Sequence, residues 1–170
     1  EIASCLVGSE MCIRDRTMIE RVIIDVPTAS VVRLKLPPDQ HRSTLCDDVS
    51  CSPGLWDDVK WAPDSKTLAF ASTSRFHKQV WLRIADASTG AVRTAFDETA
   101  KTYYESGQVA ANWAYLPGSN EAVWFSERSD WGQLYLYDLQ TGKPKRAITS
   151  GEGNVLSLIH ISEPTRQEAI

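Results

Sequence analysis

Trp61 and Trp113 lie 52 residues apart, and so do Leu82 and Leu134, Ile84 and Leu136, Asp86 and Asp138, and Gly90 and Gly142. Five anchors at one offset restrict the chain to architectures built from a repeated unit. Between the anchors, the second copy has a turn two residues longer after its Trp and a turn two residues shorter before Leu134. Length changes confined to turns, with the intervening runs in register, are what duplicated structural units show. Asp25-Val-Pro-Thr-Ala29 is a third, weaker copy of the Asp-x-x-Thr-Gly turn that Asp86 and Asp138 open.

Inside the units the side chains alternate. Leu134 and Leu136 fall on one side of their run while Tyr135 and Tyr137 fall on the other, and Val32, Leu34 and Leu36 share a face upstream. A period of two is the mark of a strand, and the six Trp and five Tyr favour β structure. Four short strands per unit, at a period near the ~40–50 residues of propeller repeats, predict an all-β partial β-propeller of about two and a half four-stranded antiparallel blades. The predicted pieces are a half blade over 19–36, a blade over 57–96 and a blade over 109–149, inside a propeller segment running from 18 to 155. Pro37-Pro38 ends the half blade, since proline cannot donate to a ladder. A polar, irregular stretch from 39 to about 55 follows. Blades are stabilised largely by their neighbours, so the piece in isolation is expected to be marginal or aggregation-prone.

Residues 1–17 and 156–170 have no counterpart in the repeat. Cys5-Leu-Val-Gly-Ser-Glu-Met-Cys-Ile-Arg-Asp-Arg16 is neither a signal peptide nor an amphipathic helix. Both flanks resemble translated sequencing-adapter sequence and are set aside as non-native. Of four cysteines, Cys46 and Cys51 then remain. They could close a disulfide or stay as two thiols, but no second Cys/His pair completes a tetrahedral zinc site.

Composition excludes some function classes. A formal net charge of -4 argues against a broad nucleic-acid surface, and no apolar run is long enough to span a membrane. No Gly-x-Ser-x-Gly elbow occurs. His41 and His77, the histidines outside the tail, read as surface loop residues without triad partners. The paired acids Asp47-Asp48 and Asp57-Asp58 lack an EF-hand framework. No cofactor and no metal is expected, and Asp86 and Asp138 are expected to cap turns through their side chains.

Strand alternation places the connections at 37–55, 73–78, 97–108 and 127–132 on one end of the blades, where rigid scaffolds usually carry function. That end holds Arg75, His77, Lys78, Tyr103, Tyr104, Glu105, Glu127, Arg128 and Trp131. Tyr103, Tyr104 and Glu105 are the candidate substrate-binding residues: two aromatics beside a carboxylate suit an apolar side chain or a cationic amine of a peptide. Packing between blades is the alternative role.

The run Trp61-Ala-Pro-Asp-Ser-Lys-Thr-Leu-Ala-Phe70 is similar to the general blade signature of TolB-like and prolyl-oligopeptidase-type propellers. More specific are Trp124-Phe-Ser-Glu-Arg-Ser-Asp-Trp-Gly-Gln-Leu-Tyr-Leu-Tyr-Asp138, Lys145-Arg-Ala-Ile-Thr-Ser-Gly151 and Trp81-Leu-Arg-Ile-Ala-Asp86. Together they resemble the N-terminal propeller of bacterial dipeptidyl peptidase IV family proteins, over about residues 19–155. The resemblance implies a parent protein, secreted or periplasmic, in which the propeller gates a C-terminal α/β-hydrolase domain with a Ser-Asp-His triad. It implies a peptide substrate, release of N-terminal dipeptides, and leaves a homodimer of the parent open. The family's paired acidic residues are expected upstream of residue 18 and the triad downstream of 155, so this segment by itself is expected to be inactive. A substrate-facing arginine of the family has no match in 97–108, which contains no Arg. A non-catalytic TolB-like scaffold that binds other proteins is the alternative.

Overall fold

The computed structural model describes residues 18–40, 59–74, 76–104 and 113–155. Two four-stranded sheets dominate them. The first runs β5 (Val59–Trp61), β6 (Thr67–Thr73), β7 (Gln79–Asp86) and β8 (Val92–Thr99). The second runs β9 (Trp113–Leu116), β10 (Glu121–Ser126), β11 (Gln133–Asp138) and β12 (Lys143–Ala147). Both are antiparallel meanders with the strands side by side in chain order. Thr67 pairs with Asp86 and Glu121 with Asp138, so the second and third strands of the two sheets match residue for residue. The longer turn after Trp113 is a 3-10 turn at Pro117–Ser119, closed by Asn120 in the left-handed region at φ 54°. These sheets are the blades of a partial β-propeller.

Upstream, β2 (Val22–Asp25) pairs with β3 (Ser30–Arg33) as the outer half of another blade. Here the structure corrects two expectations. The half blade expected over 19–36 is interrupted at Glu20-Arg21, leaving β1 (Met18–Ile19) as a separate piece. Beyond Pro37-Pro38 the fourth strand resumes as β4 (Asp39–Gln40), pairing with β1, so Asp39 is not part of an irregular stretch. The prolines interrupt the ladder without ending it. In the next blade, β8 continues to Thr99, past the expected end at 96.

The middle blade, β5 to β8, is covered on both faces by its neighbours. In β6, Leu68 and Phe70 point one way and Ala69 and Ala71 the other, and all four are buried. Double burial explains why Leu68–Ala71 is a continuous apolar run instead of alternating with polar residues. Leu68, Phe70 and Ala85 pack on Leu34, with Ile23, Leu36 and Val92 at the edge. On the opposite face, Ala69, Ala71, Val80, Leu82, Ile84 and Phe96 pack on Trp113, Ala122, Trp124 and Tyr137 of the next blade. The two alanines leave room for rings: Phe96 stacks on Tyr137 at 4.0 Å and meets Trp124 edge-on at 5.1 Å. Full burial of a side chain such as Leu82 is worth roughly 1.5–3 kcal/mol, so these interfaces are the main source of cohesion.

Candidate functional site

Antiparallel order brings the β6–β7 turn, the β10–β11 turn and the C-terminal end of β8 to one end of the stacked sheets, as the pairs Thr73 with Val80, Ser126 with Gln133 and Gln79 with Thr99 require. The β6–β7 turn is built on Ser74. Its Oγ accepts from the N–H groups of Lys78 and Gln79, both at 3.1 Å, and its own N–H donates to the Gln79 carbonyl at 2.8 Å. The chain leaving β8 then lies along this turn, with Ala100 N–H donating to the Lys78 carbonyl at 2.8 Å and Tyr104 N–H to that of His77 at 2.5 Å. These bonds fix where the two tyrosines stand.

Adjacent residues in an extended chain point opposite ways, and here that separates the candidates. Tyr104 turns inward and is 5% exposed. Its hydroxyl donates to the Phe125 carbonyl of the following blade at 2.7 Å, and its ring lies 6.0 Å from Trp124. Burial first, and the Glu98 carboxylate second, push its hydroxyl pKa well above the ordinary value. Tyr104 therefore works as packing between blades. Tyr103 turns outward, about half exposed, and stacks on His77 with ring centroids 4.8 Å apart and planes 4° from parallel. His77 itself is buried, at 7% exposed, which corrects its reading as a surface histidine. The φ of 51° at His77 belongs to the tight turn that holds it there.

Arg75, Glu105, His41, Cys46 and Cys51 lie outside the described residues. Of the three candidate binding residues, the structure thus leaves Tyr103 at the surface and removes Tyr104 from it. Phe76, 72% exposed beside His77, is an aromatic at this end that sequence reasoning passed over. Its placement inside a turn, away from any alternating run, was the available signal. Trp131 is also partly exposed there, in the turn where Tyr135 Oη donates to Ser129 Oγ at 3.0 Å. This end offers flat apolar rings with polar edges, which suit a peptide side chain. Among the described residues no three His, Cys, Asp or Glu side chains converge as metal ligands, and the Ser74 hydroxyl is taken up by backbone amides.

The opposite end is built from tight turns. Asp86 Oδ1 accepts from the Ser88 hydroxyl at 2.7 Å, Thr89 N–H at 2.8 Å and the Thr89 hydroxyl at 2.9 Å. Those bonds lower its pKa to about 2. Asp138 Oδ1 accepts from Gln140 N–H at 2.8 Å and Thr141 N–H at 2.9 Å, and Asp25 Oδ1 from Thr28 N–H at 3.0 Å. Each turn then closes through a left-handed residue, Gly90, Gly142 or Ala29.

Stacked four-stranded meanders of this kind define a segment of a β-propeller. Residues 14–168 match the family model described as the dipeptidyl peptidase IV N-terminal region, and the chain belongs to that family. Among solved structures it is similar to dipeptidyl peptidase 4 of Porphyromonas gingivalis, with a TM-score of 0.58 at 16% identity over 82% of this chain, a likeness of fold. The chain spans 18% of the length of that protein. TolB of Acinetobacter baumannii also matches, with a TM-score of 0.39 at 19% identity over 76% of this chain and 29% of its own length, too distant a likeness to argue from.

Proposed function

We propose that this chain is part of the propeller that admits peptides to the catalytic domain of a serine-type dipeptidyl peptidase, secreted or periplasmic, whose α/β-hydrolase domain lies elsewhere in a longer polypeptide. The observation that carries this reading is the family match over residues 14–168. The geometry is compatible with a gating role: the loop-bearing end presents Tyr103, Phe76 and Trp131 in turns and connections carried by rigid sheets. In this reading the propeller contributes access and substrate contact, and the bond is cleaved by the other domain.

Reading the parent gene downstream tests the proposal. It predicts a Gly-x-Ser-x-Gly elbow in a strand–turn–helix context, followed in order by Asp and His. A stop codon reached with no such elbow would sink the peptidase reading in favour of a non-catalytic binding scaffold.

A further inference from the structure

Ser72 and Ser126 hold the same place in consecutive blades. Each lies at the end of the second strand, five residues after the one paired with Asp86 or Asp138, and each is fully buried. A buried hydroxyl needs partners, and both serines find the same two kinds. Ser72 Oγ donates to Asp39 Oδ2 at 3.0 Å and accepts from Arg83 Nη1 at 2.9 Å. Ser126 Oγ donates to Glu98 Oε1 at 2.5 Å and accepts from Arg128 Nε at 2.9 Å. The arginine closes each triangle, Arg83 on Asp39 at 3.0 Å and Arg128 on Glu98 at 2.9 Å.

The carboxylates are equivalent as well. Asp39 is cross-strand from Ile19 and Glu98 from Val80, and these two precede the turn aspartates Asp25 and Asp86 by the same six residues. Both acids therefore come from the fourth strand of the preceding blade. The arginines have different origins: Arg83 is in the third strand, Arg128 in the turn before it. Two chain routes thus deliver a guanidinium to one structural position.

We propose that this Ser–carboxylate–Arg unit is a recurring clamp that fixes each blade against the one before it at the loop-bearing end. Apolar burial is non-directional and leaves flat sheet faces free to slide. Charge-assisted hydrogen bonds have set lengths and angles, and they set the register. The carboxylate side chains are 10% and 13% exposed and both serines are fully buried, so removing one partner leaves a carboxylate or hydroxyl short of a bond away from water. The three groups consequently behave as one energetic unit.

The test is a double-mutant cycle in the full chain, with Ser126→Ala, Glu98→Met and the pair, followed by urea denaturation. Each single variant is expected to raise the unfolding constant about tenfold, and the double variant also about tenfold. A double variant raised about a hundredfold, the product of independent effects, overturns the clamp. Should a variant be too unstable to measure, the unmodified chain gives an independent check by NMR. The Arg128 Nε–H is expected to exchange at least about tenfold more slowly than that of exposed Arg33, and equal rates overturn the clamp.

Discussion

Gly90 lies so close to Arg33 of the preceding blade that a methyl group on its α-carbon would stand 2.2 Å from the Arg33 carbonyl oxygen. One blade later the relation recurs, with Gly142 placing a methyl group 2.5 Å from the Ala95 carbonyl oxygen. Both glycines have φ of 69°, so turn geometry and blade spacing demand the same residue. Gly90→Ala is expected to cost about 2–4 kcal/mol in urea denaturation, from left-handed strain plus displacement of backbone. Gly118→Ala, with no atom within 4 Å of the added carbon, is expected to change stability by less than ~0.5 kcal/mol.

Ala29 gives the converse prediction. It holds the same slot with φ of 54°, and its turn is exposed. Ala29→Gly is expected to stabilise the chain by roughly 0.5–1 kcal/mol, since the left-handed cost of a Cβ outweighs the added chain entropy. A loss of stability on this substitution would contradict the equivalence of the three turns.

The turn aspartates predict the acid response. Bonds from the Ser88 hydroxyl and the Thr89 amide hold Asp86 at a pKa of about 2, and the Thr141 and Thr28 amides lower Asp138 and Asp25. A carboxyl depressed in the folded state binds fewer protons there than in the unfolded chain. Its stabilisation is complete above the unfolded pKa of about 4 and is lost as pH falls toward the folded value. Stability is therefore expected to decline from about pH 4 to about pH 2, and Asp86→Asn to flatten that decline. A decline of unchanged steepness in Asp86→Asn would contradict this assignment.

Tyr104 predicts the alkaline response and separates the two tyrosines. Its raised hydroxyl pKa means that the folded state keeps a proton which the unfolded chain releases. The associated stability is present below about pH 10 and falls as pH rises further. Tyr104→Phe is expected to remove part of that fall and to cost about 1–2 kcal/mol at neutral pH, through the lost bond to the Phe125 carbonyl. Tyr103→Ala, at the surface, is expected to cost less than about 1 kcal/mol. Similar costs for the two would place both rings in the same environment and contradict the structure.

The repeat made the fold legible because anchors such as Leu82 and Leu134, or Asp86 and Asp138, are local features copied at a fixed interval. Alternation around Leu134 and Tyr137 identified strands for the same reason. What stayed hidden depends on contacts between distant parts of the chain. Arg83 meets Asp39 across 44 residues, and no spacing rule links them. The resumption of the fourth strand after Pro37-Pro38 depends on pairing with Met18 and Ile19, which a local reading of two prolines does not show. Tyr103 and Tyr104 look alike as a dipeptide, and only the bond from Tyr104 N–H to the His77 carbonyl decides which ring faces inward. Within the candidate site, then, residue types were readable and their directions were not.

The proposed membership of these blades in a peptidase that removes dipeptides is decided by incubating the full-length parent protein with Xaa-Pro- and Xaa-Ala-p-nitroanilides and measuring released nitroaniline. Turnover of at least one dipeptide substrate is expected, abolished by alanine at the elbow serine, with the N-acetylated form of that substrate left intact. Absence of hydrolysis across the whole series, by a protein shown to be folded, would contradict it.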